Sequence, residues 1–454
     1  MNYRIEEDQF GKMKIPAERM WGIQTQRSLE NFPIGNEKMP EEIIQAYAFI
    51  KKAAARANVE VGKLDSEKGH AIQAACDEIL KQEHQEEFPL SLWQTGSGTQ
   101  TNMNVNEVIA NLIHQEEDAI RIHPNDEVNM GQSSNDTFPT AIHLAGVLKI
   151  KQELLPSLEE TEELLSKLQK KYIETIKLGR THLQDATPIT FGQEVSAWKK
   201  IIQENKQRIE ASLPYLYELP LGGTAVGTGL NTHPDFADLA ISYLSDWTSI
   251  PFRQSDNHFH GLSSKDGLVH VHHTLQNLAI HLMKIGNDIR WLASGPRAGF
   301  GEISLPANEA GSSIMPGKVN PTQIEALTMV CVQVIGNDTT ISIAASQGNF
   351  QLNVYMPVMA HNLLQSFQLM TDALSSFNER TLKGLEANED IMASYVEESL
   401  ALVTSLAPQI GYEKASLIVQ KAEEENLSLR EAAKELQIVD MDDFDQFTDP
   451  KHMI

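Results

Sequence analysis

The chain has 454 residues, a formal net charge of -25 at pH 7 and 41% apolar residues, which is typical of a globular protein with a large core. A surface this acidic repels nucleic acid and anionic membranes, and no apolar run approaches the ~20 residues of a membrane span, so we expect neither partner. The two cysteines, Cys76 and Cys331, are too few for a disulfide framework, a metal-ligand spacing or an iron–sulfur cluster.

The first eight residues are charged and mostly acidic. They have neither the apolar core of a secretory signal nor the Arg-rich, acid-poor composition of a transit peptide. Together with the low cysteine content, this predicts a protein of the reducing cytoplasm.

The elements predicted along the chain are mostly helical, after a short hairpin near the start (Tyr3 to Ile15). Four later segments carry apolar residues at spacings of three and four, the seam of a helix in a bundle. These seams are Leu164–Ile176, Leu268–Leu292, Thr322–Ile343 and Leu363–Phe377. Ser157, with Glu160 three residues later, predicts a capping box at the start of the first. The pattern predicts a mainly α protein with a bundle of unusually long helices that also pack between subunits.

Four polar segments interrupt the helical pattern: Ser97–Asn102, Gln132–Asp136, Gly179–His182, and Gly311–Pro321 with Glu325 after it. A small dicarboxylate requires several neutral or backbone donors for each carboxylate, with one or two cations. Each cluster alone is typical of a helix N-cap. Four in one chain, one with a lysine and one with a histidine, predict an anion-binding active site.

The run from Gly295 to Pro321 combines several glycines with rigid proline turns. Long loops in compact domains are uncommon unless they are functional. We therefore favour a substrate lid with glycine hinges over an ordinary surface loop.

The sequence Gly311-Ser312-Ser313-Ile314-Met315-Pro316-Gly317-Lys318-Val319-Asn320-Pro321 resembles the signature of the fumarase/aspartase superfamily, whose members form or consume fumarate by breaking a C–O or C–N bond. The resemblance covers nearly the whole chain. It includes the other polar segments, Trp21–Arg27, the Gly222–Gly229 run and Ile410-Gly411-Tyr412.

The resemblance implies three domains: residues 1–132, mixed but mostly helical, residues 133–389, a central bundle of long helices, and residues 390–454, a small helical domain. It also implies a homotetramer in which each active site takes residues from three subunits. Neither a metal nor an organic cofactor is implied.

Within the superfamily, Gly179–Ala186 is similar to fumarases, whereas aspartases carry Gln at the position of His182. An imidazole can hold the proton of an attacking or departing water near neutral pH. The resemblance therefore implies a metal-independent fumarate hydratase that interconverts fumarate and (S)-malate. Aspartate ammonia-lyase is the nearest alternative, lyases of larger succinyl substrates are more distant, and the presence of Ser312, His182 and Lys318 argues against a non-catalytic relative.

The resemblance also implies roles for individual residues. Ser312 is the base that removes the proton next to one carboxylate, with Lys318 adding positive charge. His182 acts on the water, and Glu325 hydrogen-bonds to that imidazole. The substrate-binding residues are Ser97, Gly98, Thr99, Ser133, Ser134, Asn135, Thr181, Ser313, Lys318, Val319 and Asn320.

Two further features concern binding. His123-Pro124-Asn125-Asp126 resembles a secondary dicarboxylate site of fumarases, although the residues alone predict a turn in which Asp126 caps the next helix. The histidines at 270, 272, 273 and 281 share one predicted helix, but no carboxylate completes a metal site at a suitable spacing.

The chain departs from its relatives at two positions outside the proposed catalytic residues. Gln351 stands where they usually have Glu, and Gly131 where they usually have Ser.

Overall fold

The computed structural model describes residues 2–116 and 120–454, and most of them are helical. The first nine α-helices are α1 (Ile23–Asn31), α2 (Glu41–Glu60), α3 (Ser66–Leu80), α4 (Thr99–Glu116), α5 (Ser134–Lys149), α6 (Leu155–Lys171), α7 (Phe191–Ser212), α8 (Pro214–Tyr217) and α9 (Phe236–Thr248). They are followed by α10 (His258–Ser263), α11 (Asp266–Leu292), α12 (Thr322–Ala345), α13 (Met356–Arg380), α14 (Glu389–Glu398), α15 (Ala407–Ile410), α16 (Tyr412–Glu425), α17 (Leu429–Leu436) and α18 (Met441–Phe447).

The strands form four two-stranded sheets within the described residues. The antiparallel pairs are β1 (Tyr3–Asp8) with β2 (Gly11–Pro16), β3 (Ile176–Thr181) with β4 (Gln184–Thr190), and β7 (Ile303–Ser304) with β8 (Glu386–Ala387). The parallel pair is β5 (Glu218–Leu219) with β6 (Arg253–Gln254). The predicted fold class is confirmed: the chain is mainly α with long helices and has a hairpin near its start.

Three of the four predicted seams match long helices. The Leu268–Leu292 seam lies in α11, the Thr322–Ile343 seam in α12 and the Leu363–Phe377 seam in α13. The apolar residues of these three seams are largely buried. Alternating spacings of three and four keep apolar side chains on one face of a helix, and burial of that face stabilises it. At ~1.5 Å per residue, the 27 residues of α11 span roughly 40 Å.

The seam from Leu164 to Ile176 was predicted too long, because α6 ends at Lys171 and Ile176 begins β3. The prediction of a capping box at Ser157 is also wrong. The chain is helical through α5, a π-helical turn at Ile150–Leu154 and α6, so Ser157 lies inside a helix, where its carbonyl accepts from Thr161. Pro156 lacks the N–H that an α-helix needs there, and the wider π turn directly before it accommodates that loss.

The chain divides into two compact units, each made of three segments. The first comprises Met1–Pro156, Gln207–Ala279 and Val330–Thr371. Its helix α5 is buried on nearly every side, and α2 packs against α3, α5 and α9. A helix surrounded in this way needs apolar or fully hydrogen-bonded side chains on all faces, and α5 has both.

The second unit comprises Ser157–Lys206, Ile280–Met329 and Asp372–Ile454. Its hairpin β3–β4 packs against α14 through β3. The C-terminal helices enclose a small hydrophobic core of their own, which includes Leu406, Ile418, Ala432 and Phe444. The three domain boundaries predicted from the sequence stay a prediction.

Candidate active site

In the first unit, the N-termini of α4 and α5 lie side by side. The hydroxyl of Thr99, the first residue of α4, is 2.9 Å from that of Ser97 and 2.8 Å from that of Ser134, the first residue of α5. Gly98 precedes Thr99 with a φ of 73°, and a Cβ there would overlap the ring of Phe138, so the turn requires glycine. Two helix N-termini with a chain of three hydroxyls make an anion-binding surface. We call it the carboxylate cradle.

Asp136 anchors the N-terminus of α5. Its Oδ1 accepts from the backbone N–H of Ser133, which completes a capping box, and its Oδ2 accepts from the N–H groups of Gly222 and Thr224. Next to it, the Asn135 amide donates to the carbonyl of Ala225. Because Asp136 has no exposed surface, burial raises its pKa to about 6 despite these donors. The Gly222–Gly229 run is thereby held against the cradle.

A buried lysine that sequence reasoning missed lies next to these turns. Lys51 of α2 has no exposed surface, and its Nζ donates to Asn102 Oδ1 at 2.7 Å, Gln132 Oε1 at 2.8 Å and Asn129 Oδ1 at 3.0 Å. Asn102 lies in the first turn of α4, and Gln132 directly precedes the cap of α5. No local pattern distinguishes this lysine from its neighbour Lys52.

In the second unit, His182 occupies the turn of the hairpin β3–β4. His182 and Leu183 have φ values of 56° and 59° and are the two turn residues between Thr181 and Gln184, which pair with each other. Left-handed backbone at both central positions matches the twist of a two-residue hairpin, but it is strained for Leu. Thr181, His182 and Leu183 are all exposed.

The first strand of this hairpin is held by a buried carboxylate. Glu302 has no exposed surface, and its Oε2 is 2.8 Å from Arg180 Nη1 and 3.3 Å from Lys177 Nζ. Its Oε1 is buried and has no hydrogen-bond partner among the residues that the structure describes. Lys177 also pairs with Glu194, whose pKa is raised by burial. Sequence reasoning missed Glu302, whose pairing with Arg180 joins residues far apart in the chain.

Ser312 lies in the loop between β7 and α12, also in the second unit. Its Oγ accepts hydrogen bonds from the backbone N–H groups of Ile314 at 3.2 Å and Met315 at 3.0 Å. Within this loop Gly311 and Lys318 approach closely, since a Cβ at Gly311 would overlap the carbonyl oxygen of Lys318, and only glycine leaves room. Two N–H groups directed at one hydroxyl oxygen stabilise negative charge on it.

The other predicted residues of this loop are more exposed. Asn320 donates from Nδ2 to the carbonyl of Gly311 at 2.6 Å and so closes the loop, while Ser313, Lys318 and Val319 are exposed. Glu325 lies exposed in the first turn of α12. Among residues 2–116 and 120–454, no hydrogen bond within the chain joins Glu325 to His182, so their pairing stays a prediction.

The segment His123–Asp126 forms a surface turn. His123 caps a π-helical turn at Pro124–Val128, where its Nδ1 accepts from the N–H groups of Asn125 and Asp126. The prediction that Asp126 caps the next helix is wrong, because Ser133 caps α5 instead. The His123–Asp126 turn is linked to α2, since the side chain of Asn129, directly after the turn, accepts a hydrogen bond from Lys51.

The histidines of α11 are held by partners that the sequence did not indicate. His272 is buried between Asp338 and Ser366, 2.7 Å and 2.9 Å from its ring nitrogens, and His273 lies 3.2 Å from the same Asp338. In the part of the chain that the structure describes, one group of His and Glu side chains is spaced as metal ligands: Glu78, Glu83 and His84. A hydrogen bond between His84 and Glu78 accounts for much of that proximity.

The chain is similar to known proteins along its whole length. A family model described as lyase matches residues 11–336, and one described as the C-terminus of fumarase C matches residues 402–454. Proteins described as class II fumarate hydratases from Halalkalibacterium halodurans and Bacillus anthracis are both 54% identical to this chain, over 100% of it and 99% of their own lengths.

Two solved structures are also similar over the whole chain. The class II fumarase of Schistosoma mansoni superposes with a TM-score of 0.97 at 42% identity, covering 100% of this chain and 99% of that chain. A fumarate lyase:delta crystallin of Brucella melitensis bound to cobalt superposes with a TM-score of 0.95 at 39% identity, with the same coverage.

Proposed function

Because this chain belongs to the class II fumarate hydratase family, we propose that it catalyses the reversible addition of water to fumarate to give (S)-malate. The observation that carries the proposal is the carboxylate cradle. The cradle offers neutral hydroxyls and two helix N-termini, which bind a small carboxylate without a positively charged surface. This suits a chain whose net charge is strongly negative.

In the direction from malate to fumarate, Ser312 takes the proton from the carbon next to one carboxylate. Its deprotonated oxygen is stabilised by the N–H groups of Ile314 and Met315, with Lys318 nearby in sequence on the same loop. The C–H electron pair delocalises into that carboxylate, so donors must receive the added charge. Ser313, Lys318, Asn320 and Thr181 are the proposed donors, with Val319 beside them.

The C–O bond then breaks: the electron pair held in the carboxylate moves back to form the C=C bond of fumarate, and the C–O pair leaves with the hydroxyl group. His182 donates a proton to that oxygen so that it departs as water, and in the hydration direction it takes the proton back. Glu325 accepts from the other ring nitrogen, which sets the tautomer. Because no hydrogen bond within the described chain joins these two residues, we propose that they come from different subunits.

The other carboxylate of the substrate binds in the carboxylate cradle, to Thr99, Ser133, Ser134 and Asn135, with Ser97 and Gly98 shaping the turn. The predicted site residues are divided between the two units of the chain. We propose that the site is completed in a homotetramer with residues from three subunits.

An exposed stripe on α12 supports the homotetramer. Met329, Val332, Gly336, Thr339 and Ile343 lie at alternating spacings of three and four, and all are exposed. A Cβ at Gly336 would meet no atom of the described residues within 4 Å, so another helix can approach closely there. By length and composition α12 could also cross a membrane. The buried, hydrogen-bonded Asn337 and Asp338 on its other face favour packing in an assembly.

We further propose a cytoplasmic enzyme acting in the tricarboxylic acid cycle, with (S)-malate and fumarate as substrates. The two cysteines support the location, since Cys76 and Cys331 are both buried and free. We propose no metal or organic cofactor in this chemistry, and the turn His123–Asp126 as a secondary dicarboxylate site.

The experiment is the ultraviolet absorbance of fumarate after addition of the purified protein to (S)-malate, with L-aspartate in a parallel cuvette and no added metal. We expect absorbance to rise with malate alone. A rise with aspartate alone would mean an ammonia-lyase, and no change with either would refute a reaction that releases fumarate from these substrates.

A further inference from the structure

Lys51 connects the two halves of the carboxylate cradle. Its ammonium group uses all three of its N–H donors, on Asn102 in the first turn of α4 and on Asn129 and Gln132 in the segment that leads to α5. Asn102 also donates to Asn129 Oδ1 at 3.0 Å, as Asn106 does at 3.2 Å. The Oδ1 atom of Asn129 therefore accepts from three donors, and Lys51 is the only cation among these three.

The position of this cation is costly, because burial of an unpaired ammonium is strongly unfavourable. Among the side chains that the structure describes, no carboxylate lies within ion-pair distance of Lys51, and its three acceptors are neutral amides. In some proteins a buried polar residue of this kind is retained because its hydrogen bonds specify an arrangement that an apolar side chain would not. The arrangement specified here is the relative position of two helix N-termini.

We propose that Lys51 is a positioning residue of the carboxylate cradle, whose ammonium holds the first turn of α4 and the turn before α5 in register so that both helix N-termini bind one substrate carboxylate. The proposal rests on the proposed function, because it concerns the same substrate. It adds a residue that does not touch the substrate and acts through Asn102, Asn129 and Gln132.

The charges around Lys51 support this role. The titratable groups that face it are Asp136 on α5, Cys76 on α3 and Tyr47 one turn earlier on α2, whereas the described parts of α4 and of the 129–132 turn present amides. Burial lowers the pKa of Lys51 to about 7, and the negative charge of Asp136 opposes that shift. The ammonium is therefore charged below about pH 7 and loses its proton as the pH rises above it.

The test compares Lys51→Met with Lys52→Met, the same change at the next position. Lys52 points to a different side of α2, where it pairs with Asp77. Positioning of a carboxylate that is bound equally in the ground and transition states affects KM more than kcat. We expect Lys51→Met to raise KM for fumarate roughly tenfold or more, with kcat within about threefold of wild type. Lys52→Met should leave both unchanged.

The pH dependence separates positioning from a general loss of structure. The ratio of the KM values of Lys51→Met and wild type should be largest near pH 6 and fall towards pH 9, as wild-type Lys51 loses its charge. A KM within twofold of wild type at pH 6, or a lower kcat with an unchanged KM, would overturn the proposal.

A second variant covers the case in which Lys51→Met does not fold. Gln132→Met removes one acceptor at a position that is only half-buried, and we expect it to raise KM several-fold with kcat unchanged. An unchanged KM in a folded Gln132→Met protein would overturn the proposal. Absence of fumarate hydration by wild type would instead refute the proposed function, so the two failures are distinguishable.

Discussion

Arg180 and Glu302 are 122 residues apart in the chain, yet the guanidinium Nη1 of one lies 2.8 Å from a carboxylate oxygen of the other, which has no exposed surface. The guanidinium also lies 4.3 Å from the ring centre of Phe300. Arg180 is two residues before His182 in the hairpin. The hairpin that carries the proposed acid–base residue is therefore held by a buried ion pair that does not itself take part in the reaction.

Glu302→Gln should destabilise the protein and reduce kcat. The substitution keeps the shape of the side chain but leaves Arg180 and Lys177 facing a neutral amide, and breaking a buried pair in this way costs about 3–5 kcal/mol of unfolding free energy. Chemical denaturation and initial rates measure the two effects. Asp445→Asn is the matched control, since its partner Arg430 is on the surface. Equal stability of the two variants would contradict the role of Glu302.

Ser312→Ala should lower kcat by roughly 10²- to 10⁴-fold without unfolding the protein, because it removes the proposed base. Ser346→Ala is the control, since the Ser346 residue is exposed and, within the described parts of the chain, its hydroxyl bonds only locally, to Ile343 and Gln347. Rates of fumarate formation and circular dichroism check both variants. Retention of more than a few per cent of activity by Ser312→Ala would exclude the serine as the base.

His182→Asn should abolish most of the hydration activity while the hairpin is preserved. Asn tolerates the left-handed backbone of the turn, so the change removes the imidazole and leaves the turn geometry. We expect a fall in kcat of roughly 10²- to 10⁴-fold. Leu183→Asn, at the other turn position, should remain active, and a comparable loss in both variants would point to the turn itself.

Val332→Glu should dissociate the assembly and abolish activity together with it. A carboxylate in the middle of the exposed α12 stripe must be desolvated when a second helix packs there. Sedimentation analysis should show wild type near four times the chain mass and the variant at a lower mass. Leu417→Glu places the same charge on an exposed apolar residue of α16 and should leave the mass unchanged.

His143 should make stability depend on pH below neutrality. Burial lowers the pKa of His143 to about 4. Its Nδ1 lies 2.8 Å from the carbonyl oxygen of Glu218. Between about pH 6.5 and pH 4 the unfolded chain binds a proton that the folded chain does not, so stability falls as the pH falls. His143→Gln should show a smaller loss of denaturation midpoint between pH 7 and pH 4.5. His70→Gln, at an exposed position, should behave as wild type.

The long helices could be predicted because their signal is local. Seam residues of α11, α12 and α13 recur at spacings of three and four, and each helix buries the face that this pattern marks. The Ser, Thr and Asn clusters at residues 97–102 and 132–136 were predictable for the same reason, since a helix N-terminus needs side-chain or ligand acceptors for its free N–H groups within one turn.

The predictions that failed also rested on local sequence patterns. The predicted cap at Ser157 met its sequence rule but lies within continuous helix, because a π turn before Pro156 carries the helix past the point where the rule places a start. The hairpin β3–β4 was missed because its turn carries His182 and Leu183 in place of the usual Asn-Gly.

The sequence by itself determined the helix seams, the family and the residue types of the reaction, because each of these is written in short runs of neighbouring residues. The tertiary structure alone decided that Lys51 joins the two halves of the cradle and that Glu302 anchors the hairpin of His182. Burial and ion pairing bring together residues from distant parts of the chain, and a buried lysine or glutamate is chemically the same in the sequence as one on the surface.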